Sequence, residues 1–206
     1  MKKRNKHRRV IIVIFLILIM IFLSKGIDFL STLAGGVSGK SDFTSANDVI
    51  TSFAKKNDLS MDEWPEELIQ LLDRNPETEE FVLQYPLKKN TDYSIHLDEY
   101  ENCKEVPLFL QWDERWGYTE YGDTIMGLSG CGPTCLSMVC VYLLNDTSYD
   151  PRYIANFSEN NGYCVPGSGS AWSLISEGGK KLGLDVVEIP LDEERIAKNL
   201  KAGNPI

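Results

Sequence analysis

Fourteen consecutive apolar residues, Val10 to Leu23 (VIIVIFLILIMIFL), follow directly on the basic stretch MKKRNKHRR. Such a run has to leave water, and a spanning helix takes roughly 20 residues. Ser24-Lys25-Gly26 leads into the semi-apolar IDFL, so residues 10–30 suffice if Lys25 snorkels to the far interface. Basic residues stay on the cytoplasmic side, so the chain beyond the run faces outward. The expected organisation is a cytoplasmic tail (1–9), a signal anchor (10–30) and an extracellular remainder, single-pass in the cell membrane. A cleaved signal peptide and a secreted product are the alternative, but no small-x-small site follows promptly. A buried core helix fits poorly with the flanking charges. The absence of a cysteine beside the run excludes lipoprotein attachment.

Residues 1–9 hold six of the 21 Lys and Arg and no acid, so the rest carries 15 basic against 30 acidic residues. A surface that acidic repels phosphate backbones, and nucleic acid is excluded as a partner. The chain has no Walker loop, zinc-ribbon spacing or G-x-G-x-x-G, and no cofactor or metal is expected.

Residues 31–46 (STLAGGVSGKSDFTSA) read as a flexible linker. A small helical stem is expected over 47–94. NDVITSFAKKN places Val49, Ile50 and Phe53 at helical spacing, and SMDEWPEELIQLLDRN places Leu68, Leu71 and Leu72 on one face after Pro65. A third short element, PETEEFVLQYP, ends before Pro86. The stem packs on a compact unit over 95–206. There Cys131 to Leu144 reads as a helix opened by Pro133 and stopped by Asn145-Asp146, with Leu136, Val139, Cys140, Leu143 and Leu144 as its apolar face. Ala171 to Leu182 reads as a second helix capped by Ser168 or Ser170, and Leu184 to Ile189 as a strand. DEERIAKNLKAG reads as a helix with Asp192 as cap and Gly203 past its end. The fold class expected is α+β.

SGCGPTCLSMVC, Ser129 to Cys140, puts three of the five cysteines within ten residues. A thiol reacts as its anion, and a helix N-terminus stabilises that anion with unsatisfied N–H groups and the positive end of the dipole. Cys131, between Gly130 and Gly132 and just before Pro133, has that placement. A Gly-Cys-Gly turn with a buried, inert thiol is the competing reading. Cys135 and Cys140 fall inside the helix and are expected in the core.

Two blocks, QWDERWG (Gln111 to Gly117) and SGCGPT (Ser129 to Thr134), with NGYCVPGSGSAWSLISEGGKKLGL and LKAGNPI after them, resemble the C39-like cysteine peptidases. These are related to the bacteriocin-processing peptidases that cut after double-glycine leaders. The resemblance runs from about Val106 to Ile206 and implies a papain-like cysteine peptidase fold acting on a peptide or protein substrate. It implies Cys131 as nucleophile and Gln111 as the amide that donates to the developing oxyanion. Gln111 also reads as an ordinary strand-end amide. Trp112, Arg115 and Trp116 are expected to pack the loop that holds it, rather than to form a substrate groove. The glycines at 162, 167 and 169 suit either a cleft-lining loop or a plain turn.

A cysteine peptidase needs a general base, usually His held by Asp or Asn. The two histidines, His7 and His96, both precede Cys131. The family order puts the base well after the cysteine. The segment Asn204-Pro205-Ile206 starts what reads as an extended stretch, so a truncated frame is expected, with a pseudoenzyme as the other explanation. Three functions follow: a membrane-anchored extracytoplasmic peptidase, inactive as it stands; a non-catalytic peptide-binding adaptor; and a cell-wall amidopeptidase, which the QWDERWG block disfavours. The protein is expected to fractionate with membranes, and protease shaving of intact cells should remove the 47–206 region. Full protection of that region contradicts the assigned topology.

Overall fold

A computed structural model describes residues 45–206. The expected basic tail, signal anchor and most of the linker lie outside the described residues. Among the described residues no helix is long and apolar enough to cross a membrane. Residues Ala46–Ile206 form one compact unit. It is α+β, built from helices and two small antiparallel hairpins.

The first layer is the stem. Helix α1 (Ala46–Asn57) buries Ala46, Ile50 and Ala54, one turn apart each. Helix α2 (Glu66–Arg74) starts after Pro65, has Glu66 and Glu67 in its first turn and Arg74 in its last, and buries Leu68, Ile69 and Leu72. Acids early and a base late complement the helix dipole. Helix α3 (Glu79–Lys88) runs through Pro86, where the sequence predicts an end. The reason is local. Proline has no N–H for the carbonyl four residues back, Val82, which would otherwise be stranded in the core. The buried Trp64 donates its indole N–H to that oxygen at 2.7 Å. The helix therefore keeps its geometry with a side chain in place of one ladder bond.

The expected boundary at residue 94 is not a break in packing. Phe81 of α3 stacks on Tyr118, with ring centroids 4.4 Å apart, and Tyr118 donates its hydroxyl to the Phe81 carbonyl at 2.8 Å. A Cβ on Gly117 would stand 2.7 Å from the Phe81 ring, and one on Gly127 would stand 2.4 Å from it. The ring fits only because both positions lack side chains. The stem core is thereby continuous with Tyr118, Trp112, Ile125 and Leu128.

Strands β1 (Glu120–Tyr121) and β2 (Thr124–Ile125) pair with Tyr121 opposite Thr124. They lead into the short helix α4 (Met126–Ser129) and then α5 (Cys131–Leu144). The bounds of α5 are those read from the sequence. Asn145 closes it in the left-handed conformation at φ 52, where its side chain exchanges hydrogen bonds with Asn102. Short polar side chains tolerate that conformation best among non-glycine residues. Helix α6 (Pro151–Asn160) is capped by Asp150, which accepts from the Tyr153 N–H at 2.9 Å, and has Pro151 at its start. Leu136 and Cys140 of α5 and Ile154 of α6 share a core with Tyr163, Leu174, Leu182 and Leu184. The burial on α5 is broader than one stripe, because Thr134, Ser137 and Val141 are buried too, while Leu143 is 49% exposed.

Strands β3 (Cys164–Val165) and β4 (Gly169–Ser170) form the second hairpin, with Gly167 in its turn at φ 72 and Gly169 in β4 at φ 77. The helix predicted from Ala171 begins at Leu174 with a π-helical stretch, Leu174–Gly178, and continues as α7 (Gly179–Lys181). Neither Ser168 nor Ser170 caps it; Ser170 is in β4 instead. The strand predicted over Leu184 to Ile189 is not a strand. Leu184 is buried and Val186 packs inward, but Val187 is 71% exposed, and the segment has no strand beside it among the described residues. Alternation alone does not make a strand without a ladder partner. Helix α8 (Glu193–Lys201) follows the sequence reading, with Asp192 accepting from the Arg195 N–H at 2.8 Å and Gly203 beyond its end at φ 82.

Trp64→Phe is expected to cost about 1–3 kcal/mol in urea denaturation, the desolvation cost of a stranded carbonyl. In a Pro86→Ala background the residue-86 N–H returns to Val82, and the same substitution should cost clearly less. Equal costs in the two backgrounds would refute the account of α3.

Candidate active site

Cys131 is the first residue of α5, and its side chain is exposed. Gly130 leaves α4 at φ −85 and ψ 19, and its carbonyl accepts from both the Thr134 N–H at 3.0 Å and the Thr134 hydroxyl at 2.8 Å. Those two bonds fix the first turn. The first N–H groups of any helix have no partner within it, so an anion held there meets donors. Pro133 and Thr134 are buried, and the turn is anchored on its inner side while the thiol points out.

What packs over the start of α5 is the β3–β4 hairpin and the turn after it. A Cβ on Gly132 would lie 2.6 Å from the Ser170 hydroxyl and 2.8 Å from its Cβ, with Leu174 at 3.4 Å. One on Gly169 would lie 3.0 Å from the Ser129 carbonyl. Ser170 is held in turn by Tyr121, whose hydroxyl is 2.6 Å from Ser170 Oγ and 2.7 Å from Ser158 Oγ. Tyr121 is 1% exposed, and burial pushes its phenol up, so it stays a neutral partner at ordinary pH. The backbone of Gly167 is tied to Asp123 at 3.0 Å. Two hairpins thus brace one helix start.

Gln111 is half-buried and donates its side-chain amide to the Gly127 carbonyl at 3.0 Å. Gly127 is in α4, four positions before Cys131, so the structure ties the two predicted site residues to the same α4–α5 junction. An amide nitrogen has two N–H groups, and this bond uses one. The segment around Gln111 is rigid. Trp116, 1% exposed, donates its indole N–H to the Leu110 carbonyl at 2.9 Å. Arg115 lies over the Trp116 ring, 4.7 Å from its centroid, and chelates Asp113 through Nε at 2.9 Å and Nη2 at 2.8 Å. The hydrogen bonds it donates to the Asp113 carboxylate are the main reason the guanidinium is held above its ordinary value. Trp112 joins the stem core. These three side chains pack the loop, as expected, and are not free to form a groove.

The other thiols differ from one another. Cys135 is exposed, contrary to its expected place in the core. It is one helical turn beyond Cys131, and the outward face of the first turn carries both. Partial desolvation of its sulfur holds its thiol above the ordinary value, and negative charge on Cys131 adds to the rise. Cys140 is buried as expected, and burial pushes its thiol up to about 12. Burial also raises Cys164, against an opposing hydrogen bond from Tyr121. The five cysteines are all unpaired.

His96 is exposed, in an irregular segment, and its backbone carbonyl accepts from Arg115 Nη1 at 3.3 Å. Its ring is not brought to Cys131 by any hydrogen bond or ion pair among the described residues. His7 lies outside them. The network of Tyr121, Ser158 and Ser170 escapes the sequence reading. Its one trace is the second glycine of Gly-Cys-Gly, which marks a close approach without saying what approaches.

No family model matches this chain, nor does any curated protein or solved structure.

In native protein near neutral pH, iodoacetamide is expected to label Cys131 first and Cys135 next, and to spare Cys140 until the protein unfolds. The sign follows from linkage: a thiol raised by burial gives thiolate only as pH climbs toward its raised value, and Cys140 is in addition fully buried. Peptide mapping by mass spectrometry checks the order, and early labelling of Cys103 or Cys164 contradicts it.

Proposed function

We propose that the protein is an extracytoplasmic, membrane-anchored cysteine peptidase-like protein of the C39-like, papain-like type, with Cys131 as the attacking thiolate. The observation that supports this most is the exposure of Cys131 at the first position of a helix whose inner side, Pro133 and Thr134, is buried, with the Gln111 amide anchored to the same α4–α5 junction through Gly127. The resemblance of QWDERWG and SGCGPT to that family supports the same assignment of Gln111 and Cys131.

The Cys131 thiolate adds to a peptide carbonyl and the carbonyl oxygen takes up the negative charge. The second N–H of Gln111 and the free N–H groups at the start of α5 are the donors this chain offers to that oxygen. Collapse of the adduct leaves an acyl-thioester on Cys131 and expels the leaving group. A departing amine also has to be protonated, the task of the general acid in such sites. An activated ester avoids that requirement, because a p-nitrophenolate leaves as the anion.

A second reading, a peptide-binding adaptor without turnover, is favoured by the position of His96. It is exposed, and among the described residues no hydrogen bond joins its ring to Cys131.

A simple p-nitrophenyl ester separates the readings. The peptidase reading predicts release of about one p-nitrophenolate per chain, with the acyl group mapped to Cys131. Cys131→Ser should abolish the burst, and Gln111→Ala should slow acylation roughly 10²- to 10³-fold, the usual loss of an oxyanion donor. No burst, with Cys131 still open to iodoacetamide, supports the adaptor instead.

A further inference from the structure

Cys131 and Cys135 are both exposed, although Pro133 and Thr134 between them are buried. Residues four apart on a helix are neighbours on one face, with Cβ atoms about 5–6 Å apart. Helical side chains lean toward the helix start, so the Cys135 sulfur lies over the turn that carries Cys131. Desolvation holds the Cys135 thiol up, and negative charge on Cys131 adds to the rise, so the two sulfurs sense one another. The acylation chemistry above uses the first of these thiols and gives the second no task.

What can join the two is decided by the gap. A disulfide needs Cβ atoms about 3.5–4.5 Å apart, closer than a helix holds this pair, and both cysteines are free. One metal ion between them spans more. With metal–thiolate bonds of about 2.3 Å, a collinear bridge sets the sulfurs roughly 4.6 Å apart. The number of donors narrows the choice of ion. Among the described residues no group of three or more His, Cys, Asp and Glu is placed to hold a metal. The next sulfur along this face, Met138, already accepts from the Phe109 N–H at 3.2 Å. Zinc in closed sites takes four ligands, and magnesium and calcium take six or more oxygens, so two thiols serve neither. Copper(I) suits them, because thiolates select soft ions and its filled d shell accepts two collinear ligands.

We propose that Cys131 and Cys135 form a two-coordinate, bis-thiolate site for a soft monovalent cation of the copper(I) class. Two sulfur–metal bonds form, the two thiol protons pass to solvent, and no electron is transferred. The cation offsets the repulsion between two thiolates one turn apart. The complex keeps one net negative charge, which the unpaired N–H groups and the positive dipole end at the start of α5 favour. The site goes beyond the peptidase reading and does not rest on it. The two are linked in one respect: a sulfur bonded to the metal is no longer a free nucleophile, so a filled site silences Cys131.

The test titrates copper(I) into the full chain in detergent, reduced and free of oxygen, against a chromogenic copper(I) chelator. One copper(I) should bind per chain, and X-ray absorption should find two sulfur neighbours around it. At one equivalent, copper(I) should suppress iodoacetamide labelling of Cys131 and Cys135 together, while Cys103 and Cys164 label as in the metal-free protein. Cys131→Ser and Cys135→Ser should each weaken binding by more than roughly 100-fold, the upper end of what a mere outer partner of a metal ligand contributes. Cys140→Ser should leave it unchanged. Circular dichroism confirms that the variants fold. Absence of binding, little change in either of the first two variants, protection of Cys131 without Cys135, or one copper per two chains overturns the site. None of those results bears on the peptidase reading, whose ester burst is measured on metal-free protein.

Discussion

The close approach of Ser170 and Leu174 to Gly132 is the contact on which the site depends. Any side chain at position 132 would stand within 2.6 Å of the Ser170 hydroxyl, closer than unbonded atoms are found. Because nothing is there, the hairpin settles on the first turn of α5 and the neighbouring residue, Cys131, is left on its open side. Ser170 cannot drift, since Tyr121 holds it and is itself buried against Ser158. The position of Cys131 is thus set by packing around it. A helix start that frayed would lose the ordered N–H groups that favour an anion.

The same device recurs below the site. Gly117 and Gly127 make room for the Phe81 ring, and the Gly127 carbonyl also takes the Gln111 amide. One glycine thereby joins the stem to the oxyanion candidate. The stem is part of the scaffold that positions the site, because α3 supplies Phe81 and Trp64 keeps α3 intact across Pro86. The Phe81 ring thus packs on the same glycine whose carbonyl holds the Gln111 amide.

How much of this is legible in the sequence depends on how local the cause is. Helices α5 and α8 are, because their signals lie within a turn of their ends: Pro133 and Asn145 for one, Asp192 and Gly203 for the other. The packing roles of Arg115 and Trp116 are legible for the same reason, since their partners Asp113 and Leu110 are close in sequence. Features set by distant partners are not. Pro86 reads as a stop until Trp64, far back in the chain, supplies the missing donor. Leu184 to Ile189 has a strand's composition, yet a ladder needs a second strand. Cys135 reads as core because its helix is apolar on most sides, whereas its direction is that of Cys131. Ser170 reads as a cap, and its hydroxyl goes instead to Tyr121. Cys131 and Gln111 are named by local pattern and resemblance, but the clamp at Gly132 needs the structure.

A thiol held at an ordered helix start should gain reactivity from folding. The rate of iodoacetamide addition at each cysteine, measured at pH 7 in native protein and again in concentrated urea, tests it most directly. Cys131 should react faster folded than unfolded, while the other four react more slowly folded. A Cys131 rate that rises on unfolding, as for any partly shielded thiol, would contradict it.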